Sequence, residues 1–266
     1  MFIRILKLAW HLVPVKFREK IFLIRLVVKG LPVIPNPTFA EDGLISSHLV
    51  QFIEDPKFVS AYKSGKETGA LAHHPGDIRF RAYIACWAGS HAMKLEGDFV
   101  ECGVGKGLLS KTVVKYLNFE HSNKTFWLFD TYKGIPVEQS STEEELRQIE
   151  FRNEHFFSEP YIEQVQDTFK DYRNVKIVQG VLPGTLESQE LASIAYLSID
   201  MNNANAEIET IKKLWNRICK MGIILLDDYA YGIEFQEQTR AWDTFAQDNG
   251  ISILTLPTGQ GLIIKQ

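Results

Sequence analysis

From residue 98 onward, short apolar runs alternate with longer segments whose apolar positions recur at helical spacing. The runs "DFVEC" (98–102), "TFWLFD" (125–130), "VKIVQG" (175–180), "IAYLSID" (194–200) and "GIILLDD" (222–228) read as strands. A run such as Ile223 to Leu226, with no polar interruption, is what a strand buried on both faces looks like. Residues 107–118 have apolar positions at 108, 109, 113, 114 and 117 and read as a helix. So do 161–172, 206–220 and 234–250, the last stopped by Gly250. Upstream, "HHPGD" (73–77) is a turn, and Asp77 is placed to cap a helix over 78–95. Residues 31–42 hold three prolines and read as a linker or a rigid extended segment. Residues 131–158 are polar, irregular and too long for a simple turn, the signature of a lid. "ISILTLP" and "GLIIKQ", divided by "TGQ", predict a closing strand pair.

This order of elements predicts an α/β fold, with a mainly parallel sheet covered by helices on both sides and a C-terminal antiparallel hairpin. Ligands of open α/β sheets sit at the carboxyl ends of the strands. Three of those ends carry acids: Asp130, Asp200 and the pair Asp227–Asp228. Two adjacent carboxylates at the mouth of a dry strand repel each other and lose hydration. A positive partner should sit there, or one carboxyl should keep its proton.

Bulk properties narrow the picture. The chain has 266 residues, 45% hydrophobic and 23% charged, as expected of one large domain or a domain with an appended segment. A net charge of −4 does not favour nucleic acid as a partner. Residues 1–30 differ: seven Lys and Arg against Glu19 make them +6, so the remainder is −10. This basic, apolar stretch fits a helix lying on an anionic membrane surface, or equally a helix packed on the body or on a second subunit. Charges interrupt its apolar runs too often for a transmembrane span, and it makes a poor signal peptide. Cys86, Cys102 and Cys219 have no metal-like spacing and read as reduced thiols of a cytosolic protein. The domain reading is therefore a basic helical extension and linker over 1–70, followed by the α/β domain over 71–266.

The turn "VECGVGKG" (100–107) joins the first strand of this sheet to a helix. Gly103 and Gly105, flanking Val104, permit a tight turn and close approach of a ligand to the backbone. The spacing is not G-x-G-x-x-G, and Glu101 would repel a pyrophosphate, so a nucleotide-dependent dehydrogenase fits poorly. A ligand with an amine and a sulfonium suits that carboxylate, and S-adenosylmethionine has both. Asp130, followed by Thr131, lies 25 residues beyond Gly105, about where an acid binds ribose hydroxyls in nucleotide-binding α/β units. Gly180 suits close packing beside an adenine. If the strands ending in Asp200 and Asp227–Asp228 are neighbours, three carboxylates converge. Hard oxygen ligands of that kind suit Mg²⁺.

"GDFVECGVGKGLLS", "LFDTYKGIP", "LSIDMNN", "ILLDDYAY" and "LPTGQGLIIK" together resemble the macrocin O-methyltransferase family, over roughly residues 70–266. The resemblance implies a Rossmann-like class I methyltransferase fold and S-adenosylmethionine as cofactor. It also implies a divalent metal, normally Mg²⁺, on Asp200, Asp227 and Asp228, a sugar hydroxyl as acceptor, and a homo-oligomer. The chain departs from the family in "MNNAN", with Asn202 and Asn203, and in "GVLPGT", with Gly184; both bear on the acceptor. Methyl transfer needs a base for the acceptor hydroxyl. Asp200 is the first candidate and His155, inside the expected lid, the second. His73 and His74 precede a helix and read more simply as part of a turn. Tyr132 and Tyr229 are candidates for the pocket wall; Trp127, Trp215 and Trp242 fit core positions. A reading of another class is a non-catalytic S-adenosylmethionine-binding scaffold or regulatory protein.

Overall fold

A computed structural model describes residues 37–73, 76–140, 142–157 and 159–266. The basic stretch 1–30 and His74 lie outside the described residues. The chain divides into two compact units. The described part of the smaller one contains an antiparallel pair, β1 (Phe39–Glu41) and β2 (Leu44–Ser46), closed by Asp42 and Gly43. Both turn residues have positive φ, 51° and 77°, as the tightest hairpin turns require. The segment read as a linker or extended piece thus ends in a strand.

The larger unit spans Phe52–His73 and Arg79–Gln266. Its first helices are α1 (Pro56–Lys66) and α2 (Arg79–Ala92). Asp55 caps α1, accepting from the backbone N–H of Lys57 at 3.0 Å, with Pro56 in the first turn where its missing N–H costs nothing. Strands and helices then alternate: β3 (Asp98–Cys102), α3 (Leu108–Leu117), β4 (Phe126–Asp130), α4 (Glu143–Phe156), α5 (Ile162–Phe169), β5 (Val175–Gln179), β6 (Ile194–Ile199), α6 (Ala204–Leu214), β7 (Ile218–Leu226) and α7 (Gln236–Asn249). The pair β8 (Leu254–Thr255) and β9 (Gly261–Ile264) closes the chain.

The sheet order is β5-β4-β3-β6-β7-β9-β8. The first five pair in parallel, while β9 runs antiparallel to both β7 and β8. The chain builds outward from β3 to β5, then returns to β3's other side with β6, so the topological switch point lies between β3 and β6. The core lies on both sides of the central strands. Phe99, Val100 and Cys102, Ile194 through Ile199, and Ile223 through Leu226 are all buried, which is why these strands read as continuous apolar runs. Trp242 is fully buried, and Trp127 and Trp215 pack partly buried against the same core.

Two expectations are corrected. Residues 131–158 are not irregular throughout, because α4 occupies most of their second half. Thr142 caps it, its hydroxyl accepting from the Glu145 N–H at 3.1 Å, the Thr-x-x-Glu spacing of a helix start. The helix expected over 206–220 ends at Leu214. A tight turn over Trp215–Arg217 follows, and Ile218 already pairs with Ile194. The β6–β7 register then shifts before Tyr196 meets Ile223, so the polar start of β7 imitates the tail of a helix.

Candidate active site

The ends of four neighbouring strands are in register. Phe129 pairs with Cys102, Cys102 with Ile199, and Ile199 with Leu226. The next residue on each strand is therefore Asp130, Gly103, Asp200 and Asp227. Backbone hydrogen bonds carry the ladder into this row: Gly103 N–H donates to Phe129 O (2.8 Å), Asp200 N–H to Cys102 O (2.8 Å) and Asp227 N–H to Ile199 O (3.0 Å). Parallel pairing thus turns acids scattered over almost a hundred residues of sequence into one rim.

Gly103 sits at φ +86°, and a Cβ there would lie 1.8 Å from the Asp200 carbonyl oxygen. The absence of a side chain is what allows the β3 turn to pass against β6. Beyond it lies a cleft of about 600 Å³, counting its open mouth. Of the residues expected to bind the cofactor, Gly103, Gly105, Asp130, Thr131, Gly180 and Asp200 line it. Phe129, Ile135 and Leu182 supply apolar wall, and Tyr161, Met201 and Asn202 also face the space.

Asp130 is tied to the glycine turn. Its Oδ2 accepts from the N–H of Val104 (2.7 Å) and Gly105 (2.9 Å), and its Oδ1 from the N–H of Tyr132 (2.6 Å) and the hydroxyl of Tyr161 (3.3 Å). Burial raises its pKa, and the backbone and tyrosine donors pull it back down. Val104 therefore acts through its backbone. Glu101 is buried one residue short of the strand end, where it accepts from the Ser110 hydroxyl at 2.7 Å. Burial pushes its carboxyl up to about 8; the Ser110 hydrogen bond opposes the rise, and Asp227 and Asp130 add to it. An ammonium group brought close would favour its ionised form.

The acid pair has its positive partner within the protein. Arg81, on α2, donates from one nitrogen to Asp227 Oδ2 at 2.6 Å, and the same nitrogen lies 3.5 Å from Asp228 Oδ1. The side chains of Arg81 and Asp227 are 6% and 5% exposed. Gln260, also buried, donates to Asp227 Oδ1 at 2.8 Å, so both oxygens of Asp227 are engaged. Asp200 accepts from Asn202 Nδ2 at 2.9 Å. Burial first, then repulsion from Asp227 and Asp228, raises the Asp200 pKa well above the carboxylate range. Asp228 is pushed up to about 7 by burial and by Asp227, against the pull of Arg81. The pair thus has a cation within the protein, while burial favours the protonated forms of Asp200 and Asp228.

Mg²⁺ binds oxygen ligands at about 2.0–2.1 Å in a near-octahedral shell. Each oxygen of Asp227 already accepts a hydrogen bond, one of them from a guanidinium that also lies against Asp228, so a divalent ion on this pair would face a resident cation. Among the described residues, no group of three or more His, Cys, Asp or Glu is placed to hold a metal ion. In this arrangement the donor set does not fit the divalent ion expected on Asp200, Asp227 and Asp228.

His155 is not brought to the cleft. It lies exposed in the last turn of α4, where Nδ1–H donates to Phe151 O at 2.8 Å and the ring stacks on Phe151. Tyr132 and Tyr229 do not line the cleft either. The buried Tyr132 hydroxyl donates to Leu128 O (2.8 Å), and Tyr229 donates to Asp243 (2.5 Å). Cys86, Cys102 and Cys219 are free thiols, the first two buried and Cys219 partly so.

Glu207 was not anticipated. It is buried on α6 and accepts from Trp242 Nε1 (2.7 Å), Gln238 Nε2 (3.3 Å) and the Met201 N–H (3.3 Å). Burial pushes its pKa up to about 7 in spite of these donors. It braces the 200–203 loop from below, and its position on the same helical stripe as Ile211 and Leu214 was the available signal. A second brace comes from Glu145 of α4, whose carboxylate accepts from the Ala204 N–H at 2.9 Å at the start of α6.

Residues 47–255 match the family model described as macrocin-O-methyltransferase (TylF). The chain belongs to this family. Among relatives of this chain is the demethyldecarbamoylnovobiocin O-methyltransferase of Streptomyces niveus, 23% identical over 140 residues, or 50% of this chain and 53% of that one. Another is the Streptomyces olivaceus 8-demethyl-8-(2,3-dimethoxy-alpha-L-rhamnosyl)-tetracenomycin-C 4'-O-methyltransferase, 23% identical over 139 residues, with the same coverage. The chain spans about half the length of these relatives. The solved structure of the O-methyltransferase NovP superposes with a TM-score of 0.60 at 19% identity, covering 70% of this chain and 79% of NovP. The calicheamicin methyltransferase CalS11 gives 0.57 at 13% identity, with coverage of 79% and 92%. These likenesses establish the class I methyltransferase fold. No helix among the described residues is long and apolar enough to cross a membrane.

Proposed function

We propose that this family member binds S-adenosylmethionine in the switch-point cleft and transfers its methyl group to a hydroxyl of a sugar, carried on a small molecule or saccharide. The observation that carries the reading is the row of Gly103, Asp130 and Asp200 around one cleft with a partly apolar wall. The relatives add support: one is named for methylating a rhamnosyl 4'-hydroxyl, and a structure of CalS11 is titled a TDP-rhamnose 3'-O-methyltransferase. A neighbour of the same fold, PaMTH1 of Podospora anserina, was solved with SAH bound (TM-score 0.52, 15% identity, coverage of 79% and 88%).

When bound, the sulfonium supplies an electrophilic methyl carbon. The chain's own work is to hold and orient. Asp130, fixed by the N–H groups of Val104 and Gly105, is the carboxylate suited to ribose hydroxyls, which would take over from the longer Tyr161 contact at 3.3 Å. Glu101, behind the turn, suits the amine end. Asp200, on the cleft wall, is the group positioned to receive the acceptor hydroxyl's proton as the new C–O bond forms and the C–S bond breaks. Its raised pKa makes its ionised form a stronger acceptor than an ordinary carboxylate. Asn202 fixes its orientation. No step is assigned to a metal ion.

The test is a methyl-transfer screen with S-adenosylmethionine over sugar nucleotides, glycosylated small molecules and glycolipids, read by mass spectrometry. A methylated sugar product formed with S-adenosylhomocysteine is expected. Cofactor binding with no product across the screen would favour the non-catalytic scaffold.

A further inference from the structure

We infer that Arg81 is the resident counter-ion of the Asp227–Asp228 pair, standing where a divalent ion would otherwise be needed, so that this rim is built to work without a bound metal. The inference deepens the function proposed above and rests on it only for what the cleft is used for. Its grounds are geometric. Arg81 reaches both carboxylates with one nitrogen, at 2.6 and 3.5 Å. Its guanidinium lies over the Tyr231 ring, 4.7 Å from the ring centre, which suits a weakly hydrated planar cation. Gln260 holds the far oxygen of Asp227, and the Thr258 hydroxyl in turn holds Gln260 at 3.0 Å.

A metal bound to this pair would lie close to the guanidinium cation already in contact with both carboxylates, and the two charges would repel. Withdrawing Arg81 to admit an ion would break its buried contact with Asp227. Breaking a buried pair in this way is strongly unfavourable.

Mn²⁺ titration followed by electron paramagnetic resonance tests this directly, since bound Mn²⁺ loses the sharp signal of the free ion. The wild-type protein should leave the signal that of free Mn²⁺ into the millimolar range, with or without S-adenosylhomocysteine. Arg81→Met should gain one saturable site, and Arg81→Met combined with Asp227→Asn should lose it again. Arg81→Lys, which keeps a cation and serves if the methionine variant does not fold, should remain silent like the wild type. One saturable Mn²⁺ on the wild type that disappears in Asp227→Asn would overturn the inference. So would an Arg81→Met protein that folds and still takes up none. Failure of the methyl-transfer screen alongside a silent wild type would sink the proposed function and leave the role of Arg81 standing.

Discussion

Gly103→Ala should cost about 2–5 kcal/mol and lower the thermal midpoint by roughly 4–20 °C for a chain of this size. A left-handed alanine costs about 1–2 kcal/mol, and overpacking a site that cannot relax costs about 1–3 more. Here the obstacle is backbone. The new Cβ would lie 1.8 Å from the Asp200 carbonyl oxygen and 2.5 Å from its carbon, with no side chain to swing aside. Relief requires β3 and β6 to part at their carboxyl ends, which breaks the bond from Asp200 N–H to Cys102 O and spoils the cleft floor. Scanning calorimetry and cofactor titration should report both losses. Gly105→Ala is the control for the clash, because its position has the same sign of φ, +52°, but no atom within 4 Å of an added Cβ. A Gly103→Ala protein as stable as the wild type would show that the two strand ends are not held as close as described.

Trp242→Ala should be as damaging, at about 3–5 kcal/mol, because it empties the largest fully buried side chain of the core. It also removes a hydrogen bond to a buried carboxylate. Trp242→Phe separates the two contributions: it keeps most of the apolar volume but leaves Glu207 without its 2.7 Å indole donor, worth about 1–3 kcal/mol. Glu207 also receives the Met201 N–H, and Met201 and Asn202 line the cleft. Even the phenylalanine variant should therefore weaken cofactor binding while remaining folded. Urea unfolding combined with ligand titration reads the two effects separately. A Phe variant with wild-type stability and binding would show that the Glu207 brace is not needed.

The parts of this molecule that sequence alone made legible share a physical cause. β6 and the second half of β7 are dry on both faces, so their residues run almost continuously apolar, and their acidic ends stood out against that background. The glycine turn was legible because a positive φ and close backbone approach leave glycine as the residue that fits. α4 was not, because most of its face is charged and only Ile149 and Glu145 mark its inner side. Its one clear cue was the Thr142-x-x-Glu145 spacing, and even there Glu145 serves the start of a different helix. Arg81 and Gln260 lie 146 and 33 residues from Asp227, and nothing local in the sequence announces either contact. The expectation of a positive partner for the acid pair was sound electrostatics, but the partner in the structure is an arginine. His155 shows the opposite failure: a titratable residue in a presumed lid looked catalytic, and the helix that carries it turns it toward Phe151.

The cleft at the β3–β6 switch point is proposed to hold an adenosyl cofactor through Asp130 and the glycine turn, and calorimetric titration of S-adenosylhomocysteine into the full-length protein and into Asp130→Ala tests this. Saturable one-to-one binding by the wild type is expected, with a loss of at least about tenfold in affinity in the variant, or about 1.4 kcal/mol. No binding to a folded wild-type protein, or equal binding to both, would contradict it.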